Sequence, residues 1–163
     1  MMDKKEYTTT KVGIDYSLTS PAVYVDGKYY YLTNKKKWLG VMSEDIIGYE
    51  HKEYKTPIHR FKQISDFVLD IISDYKSPKC YIEGYAYGAK GQGLFQIAEN
   101  GGILKYRLEE QNIPYEIVVP SVVKKGATGK GNADKDMMYE AFVKETGIDL
   151  KKIFDTTKVG NPI

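Results

Sequence analysis

Two acidic residues, Asp15 and Glu83, stand at the ends of short runs that alternate apolar with small or polar side chains: Val12-Gly13-Ile14-Asp15 and Cys80-Tyr81-Ile82-Glu83. Alternation of this kind predicts strands. In a sheet where the two strands are neighbours the carboxylates converge, and convergent carboxylates make a site for a hard cation. Mg²⁺ takes oxygen ligands in octahedral geometry and keeps several waters, so a few carboxylates plus phosphate oxygens suit it. Two such ions, about 3.5–4 Å apart, can activate a water and stabilise the leaving oxygen of an in-line phosphodiester displacement. Spacing alone leaves a bland alternative open, because strand-end acids commonly face solvent or cap a loop.

A second constellation is basic. Lys124, Lys125, Lys130 and Lys135 surround a Gly-rich segment whose backbone N–H groups can approach phosphates closely, and a helix N-terminus adds partial positive charge there. Contact with a phosphate backbone, rather than base reading, is the expectation; a solvated mobile loop is the alternative. The Gly-Lys-Gly order lacks the Gly-Lys-Ser/Thr ending of a Walker phosphate loop. Lys35, Lys36 and Lys37 form another run, read as a solvated edge that discourages strand aggregation. His51 and His59 match no nucleophile or zinc pattern. Cys80 is the single cysteine, which excludes an internal disulfide and a zinc site built from several thiolates, and it reads as a buried, inert thiol.

The elements that position these residues follow from periodicity and turn signals. Residues 10–17 predict a first strand and 22–25 a second, and Asp26-Gly27 is a type I′ hairpin signal leading into a third strand over 28–33. Residues 34–57, interrupted by Gly40 and Gly48, read as mostly irregular. Helical spacing of Phe61, Ile64, Val68, Ile71, Ile72 and Tyr75 predicts an amphipathic helix over 58–75. A strand over 80–84 delivers Glu83. A helix over 93–111 follows, weakened by Gly101 and Gly102 at roughly 1 kcal/mol each, a cost that points to close packing against a strand or a second subunit. Residues 115–119 predict a strand ended by Pro120. The last helix spans 134–145, with Asn132 as its N-cap and Gly147 as its stop. Residues 154–163 read as a loop.

Length and composition bound the rest. A chain of 163 residues suits one domain over 1–163. Lys and Arg total 24 against 22 Asp and Glu, so a net charge of +2 announces no polyanion partner, and local clusters must carry that inference. Apolar runs fall far short of a bilayer span and the Lys-rich start lacks the apolar core of a signal peptide, so a cytoplasmic location is expected.

The segment over 122–135, VVKKGATGKGNADK, closely resembles the signature of the RuvC-type Holliday-junction resolvases of the RNase H-like superfamily. There V-K-K, a T-G-x-G turn and A-D-K lead from the last strand into a helix. Gly13-Ile14-Asp15 with Ser17, Tyr81-Ile82-Glu83 and Gly101-Gly102 match further pieces in the same order, so the likeness spans about residues 12–142. It implies an α/β RNase H-like fold: a mixed five-stranded sheet, three antiparallel strands then two parallel ones, flanked by helices. It also implies a homodimer and an endonuclease that cuts four-way DNA junctions at symmetric positions with Mg²⁺, or Mn²⁺ in its place. Asp15 and Glu83 take the positions of the family's first two metal-binding, catalytic carboxylates. Lys124, Lys125, Thr128, Lys130 and Lys135 fall in the DNA-contacting segment. Tyr85 and Tyr87 follow Glu83 where these resolvases carry an aromatic that stacks on an unpaired base, worth about 1–3 kcal/mol; packing beneath a loop is the alternative for both.

The resemblance places the family's remaining acidic ligands on a C-terminal helix beyond the position of Asn161-Pro162-Ile163, so the expected ligand set is incomplete within residues 1–163. Asp134 and Asp136 do not replace it, since Asp134 matches a non-ligand position at the start of the preceding helix. Two other readings stay open: an RNase H-like nuclease with another nucleic-acid substrate, and a non-catalytic DNA-binding or assembly module of the same fold. An actin-like ATPase, suggested by Gly13-Ile14-Asp15, is disfavoured because no second phosphate-binding glycine motif follows.

Overall fold

Strand-forming alternation in the first third of the chain produces a meander. In the computed structural model, which describes residues 8–85 and 90–157, β1 (Thr10–Asp15), β2 (Ala22–Val25) and β3 (Lys28–Thr33) pair antiparallel in succession. Asp26 and Gly27 both take positive φ, 51° and 79°, as a type I′ turn requires. After a helix and a crossover, β6 (Pro78–Glu83) joins parallel to β1, and β7 (Tyr115–Val118) joins parallel to β6. These five strands are the ones expected from the sequence.

Two more strands occupy the stretch read as irregular. A 3-10 turn at Lys36–Trp38 leads into β4 (Gly40–Ser43), and β5 (Ile46–Glu50) returns beside it. Since β5 also pairs parallel to β3, the order among the described residues is β4-β5-β3-β2-β1-β6-β7, a mixed sheet of seven strands. Gly48, which looked like a breaker, lies inside β5 for a steric reason. A Cβ there would collide with the Trp38 carbonyl oxygen and stand 2.6 Å from the Tyr31 ring hydroxyl. That hydroxyl donates to the same Trp38 oxygen at 2.6 Å, tying β3 to the turn.

Each face of the sheet has its own core. On one, Val12, Ile14, Val23, Val25, Cys80 and Ile82 meet two helices, α1 (Pro57–Ile72) and α2 (Gly93–Glu110). The Thr56 hydroxyl caps α1 by accepting from the His59 amide at 3.1 Å, Pro57 sits in the first turn, and Phe61, Ile64, Val68 and Ile72 recur at spacings of three and four to form the buried stripe. From α2, Leu104 and Leu108 complete this core. Cys80 is fully buried within it and loss of hydration pushes its thiol up to about 11, so it is inert as read.

The opposite face carries Tyr31 and Ile46, packed with Trp38 against α5 (Leu150–Ile153) and Phe154. Trp38 donates from Nε1 to the Phe154 carbonyl at 2.9 Å. Between β7 and α5 lie α3 (Pro120–Thr128) and α4 (Lys135–Thr146). Here the structure corrects the sequence reading twice. The segment with Lys124 and Lys125 is helical rather than a loop, because Pro120 does not merely end a strand but opens a helix at its first position, and Gly129 closes that helix with φ of 80°. The N-cap of α4 is Asp134, not Asn132, its carboxylate accepting from the Met137 amide at 2.9 Å. Gly147 stops α4 in the left-handed conformation, as expected. Among the described residues no helix is long and apolar enough to cross a membrane.

Candidate active site

Register decides where the two acids meet. β1 and β6 run parallel with Gly13 opposite Tyr81 and Ile14 opposite Ile82, so the next residues along, Asp15 and Glu83, stand side by side at the carboxyl ends of their strands. Since Ile14 and Ile82 point into the core under α1 and α2, the period of two sends both acids to the other face. There they open into a cavity of about 930 Å³, walled by the sheet, α3 and α4.

The environment makes this pair costly as two bare charges. Loss of hydration raises the Asp15 carboxyl above its ordinary range. Hydration loss also raises Glu83; the neighbouring Asp15 charge adds to it, and the Lys124 ammonium opposes it. A divalent ion would reverse that penalty, and oxygen donors are what a hard cation takes. Among the described residues no cluster of three or more His, Cys, Asp or Glu forms a metal site. Asp15 and Glu83 therefore fit as two ligands of an ion that draws its others from water, phosphate oxygens or groups outside the described residues.

The basic residues divide. β7 carries the chain past Glu83, which pairs with Val118, and α3 begins two residues later, bringing Lys124 to the cavity wall. Asp134 and Lys135, at the start of α4, line the same cavity. Lys125 and Lys130 are exposed and lie outside its lining. The Thr128 hydroxyl contacts the Lys124 carbonyl at 2.8 Å and accepts from the Lys130 amide at 3.1 Å, so it closes the turn after α3.

Tyr85 leans on α2: its hydroxyl donates to the Ala98 carbonyl at 3.4 Å, Lys105 stands 5.1 Å from its ring centroid, and a Cβ on Gly101 would come 2.5 Å from its oxygen. Gly101 thus packs closely, though on the Tyr85 ring rather than on a strand, whereas a Cβ on Gly102 would meet nothing within 4 Å. Tyr85 remains 44% exposed. Tyr87 lies outside the described residues.

Sequence reading missed the aromatic wall of the cavity. Tyr24 on β2 and Tyr81 on β6 flank Gly13 in register, Tyr29 pairs with Tyr24 from β3, and Tyr139 reaches in from α4. The signal was the same alternation that located Asp15, but which strands lie beside β1 was needed to use it. Both histidines serve as structural partners: His51 bonds through Nε2 with the Thr19 carbonyl at 2.7 Å, and His59 sits in the first turn of α1.

A family profile described as Crossover junction endodeoxyribonuclease RuvC matches residues 27–156. The chain belongs to the RuvC family. Relatives named Crossover junction endodeoxyribonuclease RuvC include that of Brachyspira hyodysenteriae, 25% identical over 123 residues, covering 75% of this chain and 75% of the relative. That of Petrotoga mobilis is 27% identical over 114 residues, covering 70% and 69%. Two solved structures share the RuvC fold with this chain: Thermus thermophilus RuvC, at 14% identity, and T. thermophilus RuvC in complex with Holliday junction substrate, at 16%. Each superposes with a TM-score of 0.58 over 94% of this chain and 84% of the other.

Proposed function

We propose that this chain is a metal-dependent, structure-selective endodeoxyribonuclease that resolves four-way DNA junctions. The observation that carries the proposal is the placement of Asp15 and Glu83 side by side in one cavity with Lys124, in a member of the RuvC family. Asp15 and Glu83 hold Mg²⁺, or Mn²⁺ in its place. When bound, the ion supplies Lewis-acid polarisation of the phosphodiester and activation of water. Lys124 offsets negative charge beside Glu83 and meets the phosphate that the carboxylates would otherwise repel. Lys135, at the N-terminal end of α4, adds positive charge where that helix's partial charge has the same sign. Lys125 and Lys130 extend the backbone contact outward, and Tyr85 and Tyr87 stack on bases exposed near the crossover. Water, phosphate oxygens or groups outside the described residues complete the ligand set.

A homodimer belongs to this proposal, because a two-fold junction is met by a two-fold protein. On α2, Phe95, Gly102 and Tyr106 fall on one helical face by spacings of seven and four. Phe95 is 71% and Tyr106 67% exposed, and a Cβ on Gly102 would meet nothing within 4 Å. That open face suits the same helix of a second copy, and Phe95→Glu should shift the sedimenting species from dimer to monomer.

The expected outcome for Asp15→Asn is loss of cutting with junction binding retained. Purified D15N protein that nicked junctions at the wild-type rate would overturn the assignment. A second reading, a junction-binding module without cleavage, is favoured by the lack, among the described residues, of three or more His, Cys, Asp or Glu clustered to hold a metal ion. Wild-type protein that binds four-way junctions tightly, yet cuts none with Mg²⁺ or Mn²⁺, would establish it. Flap, RNA–DNA hybrid and linear substrates run alongside would reveal another preference.

A further inference from the structure

The run Lys35-Lys36-Lys37 lies just outside the sheet edge rather than in it. The outer strand on that side of the sheet is β4, which starts at Gly40, and the lysines precede it on the 3-10 turn. The fold brings this turn against a second lysine pair from the far end of the chain. Trp38 bonds to Phe154 across 116 residues and its ring meets the Phe154 ring at 5.5 Å, so the turn bearing Lys35, Lys36 and Lys37 packs against the end of α5, which carries Lys151 and Lys152.

Three of these five side chains are braced on aromatic rings. Lys35 Nζ stands 4.1 Å and Lys37 Nζ 5.4 Å from the Trp38 ring centroid, and Lys151 Nζ stands 4.7 Å from that of Tyr139. Cation–π contact keeps an ammonium near one position while leaving its N–H donors free for an anion. No ion pair with a carboxylate is formed by any of the five among the described residues. Two acids flank the lysine pair of α5, Asp149, whose charge acts on Lys152, and Asp155, against five lysines. A concentrated, partly ordered and net positive charge is what a polyanion backbone selects.

We propose that Lys35, Lys36, Lys37, Lys151 and Lys152 form a second phosphate-backbone contact that grips a duplex arm of the junction beside the cavity. Naming a junction arm rests on the function proposed above; the affinity for a nucleic-acid backbone does not. Lys151 reaches back along α4 to Tyr139, one turn beyond Lys135: its amide bonds to the Tyr139 hydroxyl at 3.1 Å and its ammonium stands over that ring, so the second basic group adjoins the cavity. Tyr139, Phe142 and Leu150, from α4 and α5, line the cavity itself, so the path from site to patch is continuous.

Binding without cleavage, in EDTA, tests this with a four-way junction and a linear duplex of matched sequence across a series of salt concentrations. In wild-type protein, log affinity falls steeply with log salt. Lys36→Gln with Lys152→Gln should make that slope shallower by about 0.9 for each phosphate no longer neutralised, close to 2 for the pair. Hydroxyl-radical protection of the junction arm should weaken as well. Replacing all five lysines by Gln should deepen both effects. Because Lys35, Lys37 and Lys151 also brace aromatic rings, the pair variant keeps the test clear of any folding defect, and its melting temperature should match the wild type. A wild-type slope and wild-type protection in both variants would overturn the proposal. Equal wild-type affinity for junction and duplex would instead sink the junction reading, while the change in slope would still decide the patch.

Discussion

Neutralising one member of the Asp15–Glu83 pair should stabilise the metal-free protein. Neighbouring strands lie about 4.8 Å apart, so carboxylates side by side on them are separated by roughly 5–6 Å. Two like charges at that distance repel by about 3 kcal/mol at an effective dielectric of 20 and by less than about 1 kcal/mol in water. Both side chains open to solvent, so the repulsion should be near 1 kcal/mol, equivalent to about 2–4 °C in Tm for a chain of this size. Asp15→Asn and Glu83→Gln each relieve the same repulsion, so the double variant should gain about 1 kcal/mol less than the sum of the singles. The pH dependence has a definite sign. Both carboxyls are raised in the folded protein, which therefore holds protons that the unfolded chain has already released. Wild-type stability should fall as pH rises from the ordinary carboxyl range through the raised folded values, and stay lower above them; the single variants should fall less. Added Mg²⁺ should raise the wild-type melting temperature and leave that of D15N nearly unchanged. Thermal melts between about pH 4 and 8, with EDTA or Mg²⁺, measure all of this. Strict additivity of the two substitutions, with D15N melting below the wild type in EDTA, would refute the idea that the two groups share one field.

Three further outcomes follow from single contacts. Gly48→Ala forces a Cβ onto the Trp38 carbonyl and against the Tyr31 hydroxyl, and should cost about 3 kcal/mol by denaturant titration, with the Tyr31 bond to Trp38 broken. Lys124→Ala should weaken junction binding and reduce the salt slope by about 1; it should also raise the Glu83 carboxyl further, visible by NMR titration of the metal-free protein. Arg107 joins α2 to α1 by donating to the Ser65 hydroxyl at 2.7 Å and to Asp66. Loss of hydration pushes the Asp66 carboxyl up, but bonds from Lys62 and Arg107 outweigh it and hold it low. Arg107→Met should therefore destabilise by about 1–3 kcal/mol at neutral pH. The deficit should shrink as pH falls through the Asp66 range, where the wild type loses the same contribution.

Local chemistry was sufficient for much of this protein. Alternation located β1 and β6 and put Asp15 and Glu83 at their ends, a three-four apolar stripe marked α1, and Asp26-Gly27 marked the hairpin, because each is a property of a few adjacent residues. The tertiary structure alone decided the rest. β4 and β5 are short and interrupted by Gly40 and Gly48, and the reason for Gly48 is a carbonyl and a ring from residues 38 and 31, distant from it along the chain. Lys124 faces the cavity and Lys125 does not because α3 is a helix, a distinction invisible while the segment reads as a loop. The convergence of the two acids depends on the parallel pairing of β1 with β6, and the five-lysine patch on a contact between Trp38 and Phe154. A residue's type and immediate neighbours set its propensity and charge; which strand lies beside it, and which distant surface covers it, are set by packing of the whole chain.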